Sequence, residues 1–480
     1  MVDGEATGLG EWPQAGIMRR EMIEGLPRGA GRGQSHTHPP RAEGGAGGAE
    51  EQHVDLHEAS LSRRAAITTG DVMHFRGEEY RFGSPREAVE HVAGIVGRVG
   101  VETVGLAEAC GRVLADDAKA DRPSPAVSYS AMDGFAARLA DVKRGAALAI
   151  VGEVRIGREP VGLAAGTVMR IVTGAAIPAG ADLVVPVEDV QEHEGAITIS
   201  EPAVTKFKVG QFIRVAGENA AAGETVLRAG TVLTAAAVGT LAAIGIARPS
   251  VRRRVRVAVL VTGDELVSHE ETPSAWQVRN SSGAALAALL GARAWVSVDA
   301  PLHLRDDPAT MNAAVGRAIA ECDAVVLTGG VSMGHRDFVR EVLQQSGVRI
   351  ELHGVPQRPG KPVLVGIAPG NKPVFGLPGN PVSSLVTCRR MVMPVLGCAA
   401  GMVQKGDGGS VPRVMIANPD TQAIPLWWQR LVRLDESGRA ALLDARGSGD
   451  VVAAGKSDGF VEVPPGESGA GPWPYFAWGA

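Results

Sequence analysis

From Val255 to about Leu396, short apolar runs that end in glycine or acidic residues alternate with segments of helical hydrophobic spacing. The runs VRVAVLVT, RAWVSVD, AVVLTGG, RIELHGV, PVLVGIA and KPVFGLP read as strands. Segments 282–290, 309–321, 335–346 and 382–396 read as helices between and after them. This alternation predicts an α/β unit over 251–402 whose strand ends form a polar, phosphate-tolerant crevice.

The pattern differs on either side. SPREAVEHVAGIVG (84–97) has helical periodicity, with Ser84 as N-cap, Pro85 at the first helical position and Glu87 at the third, a capping-box arrangement. LAEACGRVLA (106–115) reads as a second short helix, and the chain then becomes extended and proline-punctuated to 126. Short strand-like runs broken by Gly or Pro fill 127–215, which is expected as an inserted β domain. A glycine-turn and helix pattern returns over 220–250, so 66–126 and 216–250 are expected to form one discontinuous domain. After GDGG (406–409), four strand-like runs predict a small β barrel or sandwich over 410–480. Residues 1–65 are rich in Gly, Ala and Glu and read as a disordered extension or an overlong start. His36 and His38 lie there without a fixed carboxylate or cysteine nearby, the pattern of solvated tail histidines.

Composition narrows the class. A chain of 480 residues predicts about three domains. Hydrophobic residues at 45% suffice for a substantial core, and the formal charge of −5 argues against nonspecific binding to nucleic acid or an anionic membrane. The apolar stretch 231–247 is short and broken by glycine, so no span is expected. Cys110, Cys322, Cys388 and Cys398 lack a CxxC arrangement and are expected as buried free thiols in a reducing compartment. With no cationic leader and apolar h-region, a cytoplasmic location is expected. The arginine-rich VRRRVRV (251–257) fits a domain junction and an entering strand better than a nucleic-acid site.

Candidate chemistry gathers at the predicted strand ends. In TGGVS (328–332), Gly329 and Gly330 allow close backbone approach to a ligand, and Ser332 adds a hydroxyl. Asp337 follows within about one helical turn of the next helix start. It reads either as a carboxylate for Mg²⁺ beside a phosphate or as a first-turn charge favoured by the macrodipole. In LPGNPVSS (377–384), Asn380 is placed to cap and Pro381 to open a helix whose N–H groups can accept an anion; an ordinary capped helix would read the same. Asp306–Asp307 and Asp264–Glu265 also sit at strand ends, as a ligand site or as solvated loops. Arg358 and Lys361 of RPGKP offer cations for an oxyanion, or are surface charges at a turn. The sequence holds no Walker A motif, no GxGxxG, no zinc-type Cys/His spacing and no triad pattern.

Taken in order, these strings resemble the molybdopterin molybdenumtransferase (MoeA) family, related to the gephyrin E domain. The matching strings are SAMDGFA (130–136), RIVTGAAIPAGAD (170–182), GEN (217–219), TGDEL (262–266), LRDDP (304–308), TGGVSMGHRD (328–337), RPGKP (358–362) and LPGNPVSS (377–384). They cover nearly all of 84–402, with looser matches at RGSGD (446–450) and DGFVEVPPGE (458–467). The resemblance implies a discontinuous elongated domain, an inserted β domain, a central MogA/MoaB-like α/β domain and a C-terminal β barrel. It also implies a homodimer whose site lies between the α/β domain of one subunit and the inserted domain of the other. Such proteins insert molybdate-derived molybdenum into adenylylated molybdopterin, release AMP and use Mg²⁺. Transient contact with the molybdopterin adenylyltransferase or with molybdoenzyme maturation proteins is a further expectation, with no nucleic acid and no membrane.

Carried onto this chain, Asp306 and Asp337 look like the acidic pair that holds Mg²⁺ or positions the adenylyl phosphate. Asp133, Thr173 and Glu218 resemble polar functional residues from the other side of the cleft. Arg358 resembles the basic residue that attracts molybdate or stabilises the phosphoanhydride. Ser448 looks like a serine directed to the cleft from the C-terminal domain. Gly329, Gly330 and Ser332, with Pro359, Gly360, Lys361, Pro378, Gly379, Asn380 and Ser383, would cradle the pterin or the phosphates. Four positions depart from the pattern: Gly354 stands where a Lys or Arg is common, Asn219 replaces an acid after Glu218, Asn280 an aspartate and Ser282 an asparagine. A pterin-nucleotide-binding scaffold of the same fold and a tungstate-using transferase are the alternative readings.

Overall fold

The computed structural model describes residues 73–75, 78–330, 338–403 and 411–479. The tail 1–65, the GDGG linker, Ser332 and Asp337 lie outside the described residues.

The Val255–Thr262 strand lies inside a seven-stranded mixed sheet. Val296–Val298, Val255–Thr262, Ala324–Thr328 and Lys372–Leu377 are neighbours in that order and run parallel. Leu302–Leu304 also pairs parallel with Val255–Thr262, while Leu364–Ala368 and Arg349–His353 complete the sheet antiparallel. Side chains alternate across the pleat. Val257, Val259, Val261 and Val326 pack with Leu286 and Leu290 of the helix Ser281–Gly291 and with Val395 and Leu396. Leu260, Val325 and Leu327 pack on the opposite face with Met311 and Val315 of Pro308–Glu321 and with Val342 and Leu343 of Val339–Gln345. Apolar cover on both faces is why these strands read as nearly unbroken hydrophobic runs. Each such buried side chain contributes about 1.5–3 kcal/mol, so the two clusters fix where the parallel strands end. Those ends are Thr262, Leu304, Thr328 and Leu377, all on one edge.

Around this unit stand separate apolar clusters. Val104, Leu114, Leu233, Leu241 and Val251 form one, joining the segments before and after the inserted module. The module is a six-stranded sheet in the order Val190–His193, Ala196–Ile199, Ala147–Glu153, Thr167–Ile171, Gly134–Ala137, Leu183–Pro186. The C-terminal sheet runs Gln357–Arg358, Trp427–Leu434, Gly459–Val463, Trp473–Ala477, Arg413–Val414, with Ala440–Leu442 beside Trp427–Leu434. An isolated Ile416–Ala440 bridge links the segment after Arg413–Val414 to Ala440–Leu442. The first strand of that sheet, Gln357–Arg358, comes from the RPGKP stretch, so the central unit and the C-terminal sheet share backbone pairing.

Several local expectations hold. The helix Pro85–Ala93 is capped by Ser84, whose Oγ accepts from the Glu87 N–H at 3.1 Å; Glu87 in turn accepts from the Gly83 N–H at 2.9 Å. In VRRRVRV, Arg253 forms a two-pronged pair with Asp323 at 2.6 and 2.7 Å, and Arg252 donates to the Val99 carbonyl. Those arginines are spent at a junction.

Others are corrected. The expected helix 106–115 stops at Leu106–Ala109 because Gly111 turns the chain at φ +76°, after which Val113 and Leu114 form β-bridges. Ala109 is buried there but Cys110 is exposed, and Cys398 is half-buried; only Cys322 and Cys388 are the buried thiols expected. Order starts before Ser84, with Met73–Phe75 and Glu78–Tyr80 paired antiparallel. The last helical run, Pro381–Ala399, is long and apolar enough to cross a membrane, yet most of it is buried against the central sheet.

Candidate functional site

Two adjoining cavities open at the strand-end edge. The sheet-end cavity, about 710 Å³, is floored by Thr262, Gly263, Thr328, Gly329 and Gly330 and walled by Pro378, Gly379 and Asn380. Its floor is tight. Gly329 has φ +98°, and a Cβ there would lie 2.5 Å from the Thr262 carbonyl and hydroxyl. The glycine pair is thus required first by chain-to-chain approach, with ligand approach a consequence. Gly329 N–H donates to the Leu377 carbonyl at 3.3 Å and Thr328 Oγ1 to the Pro378 carbonyl at 3.0 Å, which sets the two glycine turns side by side.

Asp306 and Glu265 bring carboxylates to this cavity. Asp307 is committed elsewhere: it caps Pro308–Glu321, accepting from the Thr310 N–H at 2.7 Å and hydroxyl at 2.5 Å, bonds that lower its pKa. Asp264 accepts from the Asp306 N–H at 3.3 Å and so orients that loop. Asn280 caps Ser281–Gly291 by accepting from the Gly283 N–H at 2.9 Å, a role Asn and Asp fill equally well. Ser282, also at the wall, is buried. The Thr262 hydroxyl, in a residue 5% exposed, has no hydrogen-bond partner among the described residues.

The second cavity, about 640 Å³, lies between the RPGKP turn and the C-terminal sheet. Arg358, Pro359, Gly360, Lys361, Pro378, Asn380, Ser383 and Ser448 all line it, so eight expected site residues meet here. Pro362, Pro378 and Asn380 belong to both cavities. Asn380 stands at the N-cap of Pro381–Thr387 but makes no side-chain cap; its amide donates to Ser448 Oγ at 3.0 Å. The Val382 N–H, expected to be open to an anion, donates to the Ser448 carbonyl at 3.0 Å. One N–H of that helix start is therefore taken by the C-terminal loop.

Asp133, Thr173 and Glu218 do not join either cavity. Asp133 and Thr173 are hydrogen-bonded to each other in the inserted module, while Glu218 lies just after it, bonded to Arg214 and Val215. Asp133 accepts from the Thr173 N–H at 2.7 Å and the Thr173 hydroxyl at 2.8 Å, which together hold its pKa below the ordinary value. The Val215 N–H at 3.0 Å is the largest cause of a lowered pKa at Glu218, and the Arg214 guanidinium adds to it. Asn219, the departure beside it, accepts from Arg214 at 3.1 Å. Gly354, at φ +94°, packs by Tyr80.

For Mg²⁺ the donor set is suitable. A hard ion takes oxygen ligands and often uses one or two carboxylates with substrate phosphates and waters. Asp306 and Glu265, which line the same cavity, are the carboxylates that could hold such an ion, and Asp337, the other expected ligand, lies outside the described residues. No group of three His, Cys, Asp or Glu gathers among the described residues.

Sequence reasoning left out several lining residues. Glu265 stands at a strand end, where sequence alone does not separate it from Asp264. Gln357, Asp420, Trp428, Gln429 and Arg430 line the second cavity without any local signal, because the Trp427–Leu434 strand reaches it by pairing with Gln357–Arg358.

Comparison with known proteins places this geometry. Residues 83–245 match the family described as MoeA N-terminal region (domain I and II), and residues 258–397 match the probable molybdopterin binding domain. A molybdopterin molybdenumtransferase of Nostoc sp. is 36% identical over 63% of this chain and 70% of the relative. Another from Synechocystis sp. is 30% identical over 82% of this chain and 98% of the relative. The structure is similar to a molybdopterin biosynthesis MoeA protein from Pyrococcus horikosii, at TM-score 0.65 and 28% identity, covering 83% of this chain and 99% of that one. With both matched regions falling on the central sheet and the discontinuous unit that carries the inserted module, the chain belongs to the MoeA, or molybdopterin molybdenumtransferase, family.

Proposed function

We propose that this protein transfers molybdate-derived molybdenum to adenylylated molybdopterin with release of AMP, in a reaction that uses Mg²⁺. The observation that carries this reading is the pair of adjoining cavities. One presents the carboxylates of Asp306 and Glu265, the other the guanidinium of Arg358, and Pro378 and Asn380 belong to both. A ligand with a phosphoanhydride next to a heterocycle, meeting a separate oxyanion, needs carboxylates for a hard cation and a cation for the oxyanion within reach of each other. Volumes of about 640 and 710 Å³ suit small-molecule ligands.

On this reading Arg358 holds the oxyanion by charge-assisted hydrogen bonds. Asp306, with Glu265, orients the adenylyl phosphate end. Asp306 would hold Mg²⁺, which when bound would supply positive charge to offset the phosphates. Asp133, Thr173 and Glu218 lie outside both cavities, so their contribution is proposed to come from a second copy in a homodimer. The C-terminal sheet, with its Ile416–Ala440 bridge, is read as the barrel of this arrangement.

A single-turnover assay tests the function. The full chain is mixed with adenylylated molybdopterin, and AMP release is followed with molybdate, with tungstate or with neither, in the presence and absence of Mg²⁺. Release is expected to require Mg²⁺ and an oxyanion, and D306N is expected to slow it by about 100-fold. Ligand retention without any AMP release would support a binding scaffold instead. Equal rates for D306N and the wild type would remove Asp306 from the mechanism.

A further inference from the structure

Arg358 is an exposed cation whose side chain has a single described partner. Its guanidinium makes no hydrogen bond or ion pair among the described residues and sits 6.0 Å from the centroid of the Trp428 ring. The backbone beneath is fixed. Gln357–Arg358 pairs in parallel with Trp427–Leu434, and Arg358 stands in register with Trp428. The Trp427 N–H donates to the Pro356 carbonyl at 2.9 Å, and the buried Gln357 amide donates to the Gly360 carbonyl at 3.0 Å. Trp428 is held in its turn. The Arg430 guanidinium lies 4.2 Å from its centroid and is tied to Asp420 by bonds of 2.8 and 2.5 Å. Asp420, Trp428, Arg430 and Arg358 all line the same cavity.

We propose that Trp428 is a positioning residue for Arg358: its ring, braced by the Arg430–Asp420 pair, restrains the guanidinium over the cavity that receives a tetrahedral oxyanion. The inference rests on the oxyanion role given to Arg358 above. A free arginine side chain loses much rotamer freedom when it clamps an anion, and a restrained one loses less, so restraint raises affinity. The ring is suited to the task because a cation over its face is attracted without using any N–H donor, leaving the fork for the ligand. Asp420 already neutralises Arg430, which leaves Arg358, with Lys361 on the same cavity wall, to meet an incoming anion and reduces repulsion between two guanidiniums on one ring.

Calorimetric titration of the full chain with sodium molybdate tests this. The proteins compared are the wild type, W428A, W428F, R358A and the double variant W428A/R358A, each with its melting temperature. W428A is expected to weaken molybdate binding about three- to tenfold, and W428F to recover to within about twofold, since it keeps an aromatic face. In the R358A background, W428A is expected to cost nothing further. An equal loss from W428A with and without Arg358 overturns the proposal, because the ring would then act through the fold. So does wild-type affinity in W428A while R358A is weakened, which removes the positioning role and keeps the oxyanion role of Arg358. Unchanged affinity in R358A removes both. If W428A does not fold, W428L against W428F poses the same comparison, apolar bulk against an aromatic face.

Discussion

Asn380 and Ser448 are 68 residues apart and meet at the point where the two cavities join, the Asn380 amide donating to Ser448 Oγ at 3.0 Å. Ser448 also accepts from the Val382 N–H through its carbonyl, so side chain and backbone together latch the C-terminal loop onto the LPGNP turn. The loop is stiffened behind this contact by Asp450, which accepts from the Arg446 and Ala453 N–H groups, each at 3.0 Å.

Removing the Ser448 hydroxyl separates latch from backbone. The backbone bond to Val382 survives in S448A, so the melting temperature should hardly move. The Asn380 amide loses its acceptor, and one neutral hydrogen bond contributes about 0.5–1.5 kcal/mol. The expected result is a fall in kcat/KM for AMP release of about two- to tenfold. Wild-type kinetics in S448A would mean that the latch does not position anything the reaction uses.

Asp133 should stay ionised to unusually low pH. Its carboxylate is stabilised first by the Thr173 N–H and then by the Thr173 hydroxyl, both of which lower the pKa from the ordinary 3.8. A depressed folded-state pKa means that the contribution to stability is present above the unfolded value and disappears as pH falls through the folded one. The window is therefore below about 4, and neutral solutions do not report it. T173A removes the hydroxyl but keeps the N–H, so the pKa should rise only part of the way back. Carboxyl carbon NMR titration of Asp133 in both proteins reads this directly; identical midpoints would show that the hydroxyl does not act on the carboxylate.

Thiol accessibility should split the cysteines. Cys110 is exposed, while Cys322 and Cys388 are buried and burial raises both pKa values, Cys388 to about 12. Because the thiolate is the reactive form, Cys110 should label rapidly with a thiol reagent in the native state. Cys322 and Cys388 should label only on unfolding. Prompt native labelling of Cys388, read by peptide mass spectrometry, would contradict the packing of the Pro381–Ala399 run.

How much of this could be read in advance depended on the range of the interaction. The central strands were legible because two covered faces leave continuous apolar runs, and their ends were marked by TGDE, RDD, GG and PGN. Local caps were legible for the same reason: Ser84 and Glu87 act within four residues. Asn380 reads as a cap because a cap and a latch need the same residue type, and the competing partner, Ser448, is distant in sequence. Of Asp306 and Asp307, the spacing to Thr310 decides which one caps, and only the fold shows that Asp306 is left facing the cavity. Trp428 could not be placed at all. Its proximity to Arg358 arises from strand register between segments 70 residues apart, which no local pattern encodes.

The same sheet is tied to the central helix by a buried charge pair. Arg390 donates to Glu462 at 2.7 and 3.0 Å, with both side chains less than a tenth exposed. Gln429 donates a third bond to Glu462 at 3.3 Å, and the Phe476 ring lies 5.2 Å from the Arg390 guanidinium. Removing one partner leaves the other charged and desolvated, a loss of about 3–5 kcal/mol. R390A and E462A should each lower the unfolding midpoint by that equivalent, whereas replacing both residues with apolar ones of similar volume should cost far less. If the two single changes and the double change destabilise additively, the pair is not coupled. The helix would then hold the C-terminal sheet through apolar contacts such as Val382 and Val386 with Leu431 and Phe460, and through the Arg389 bond to the Ala477 carbonyl.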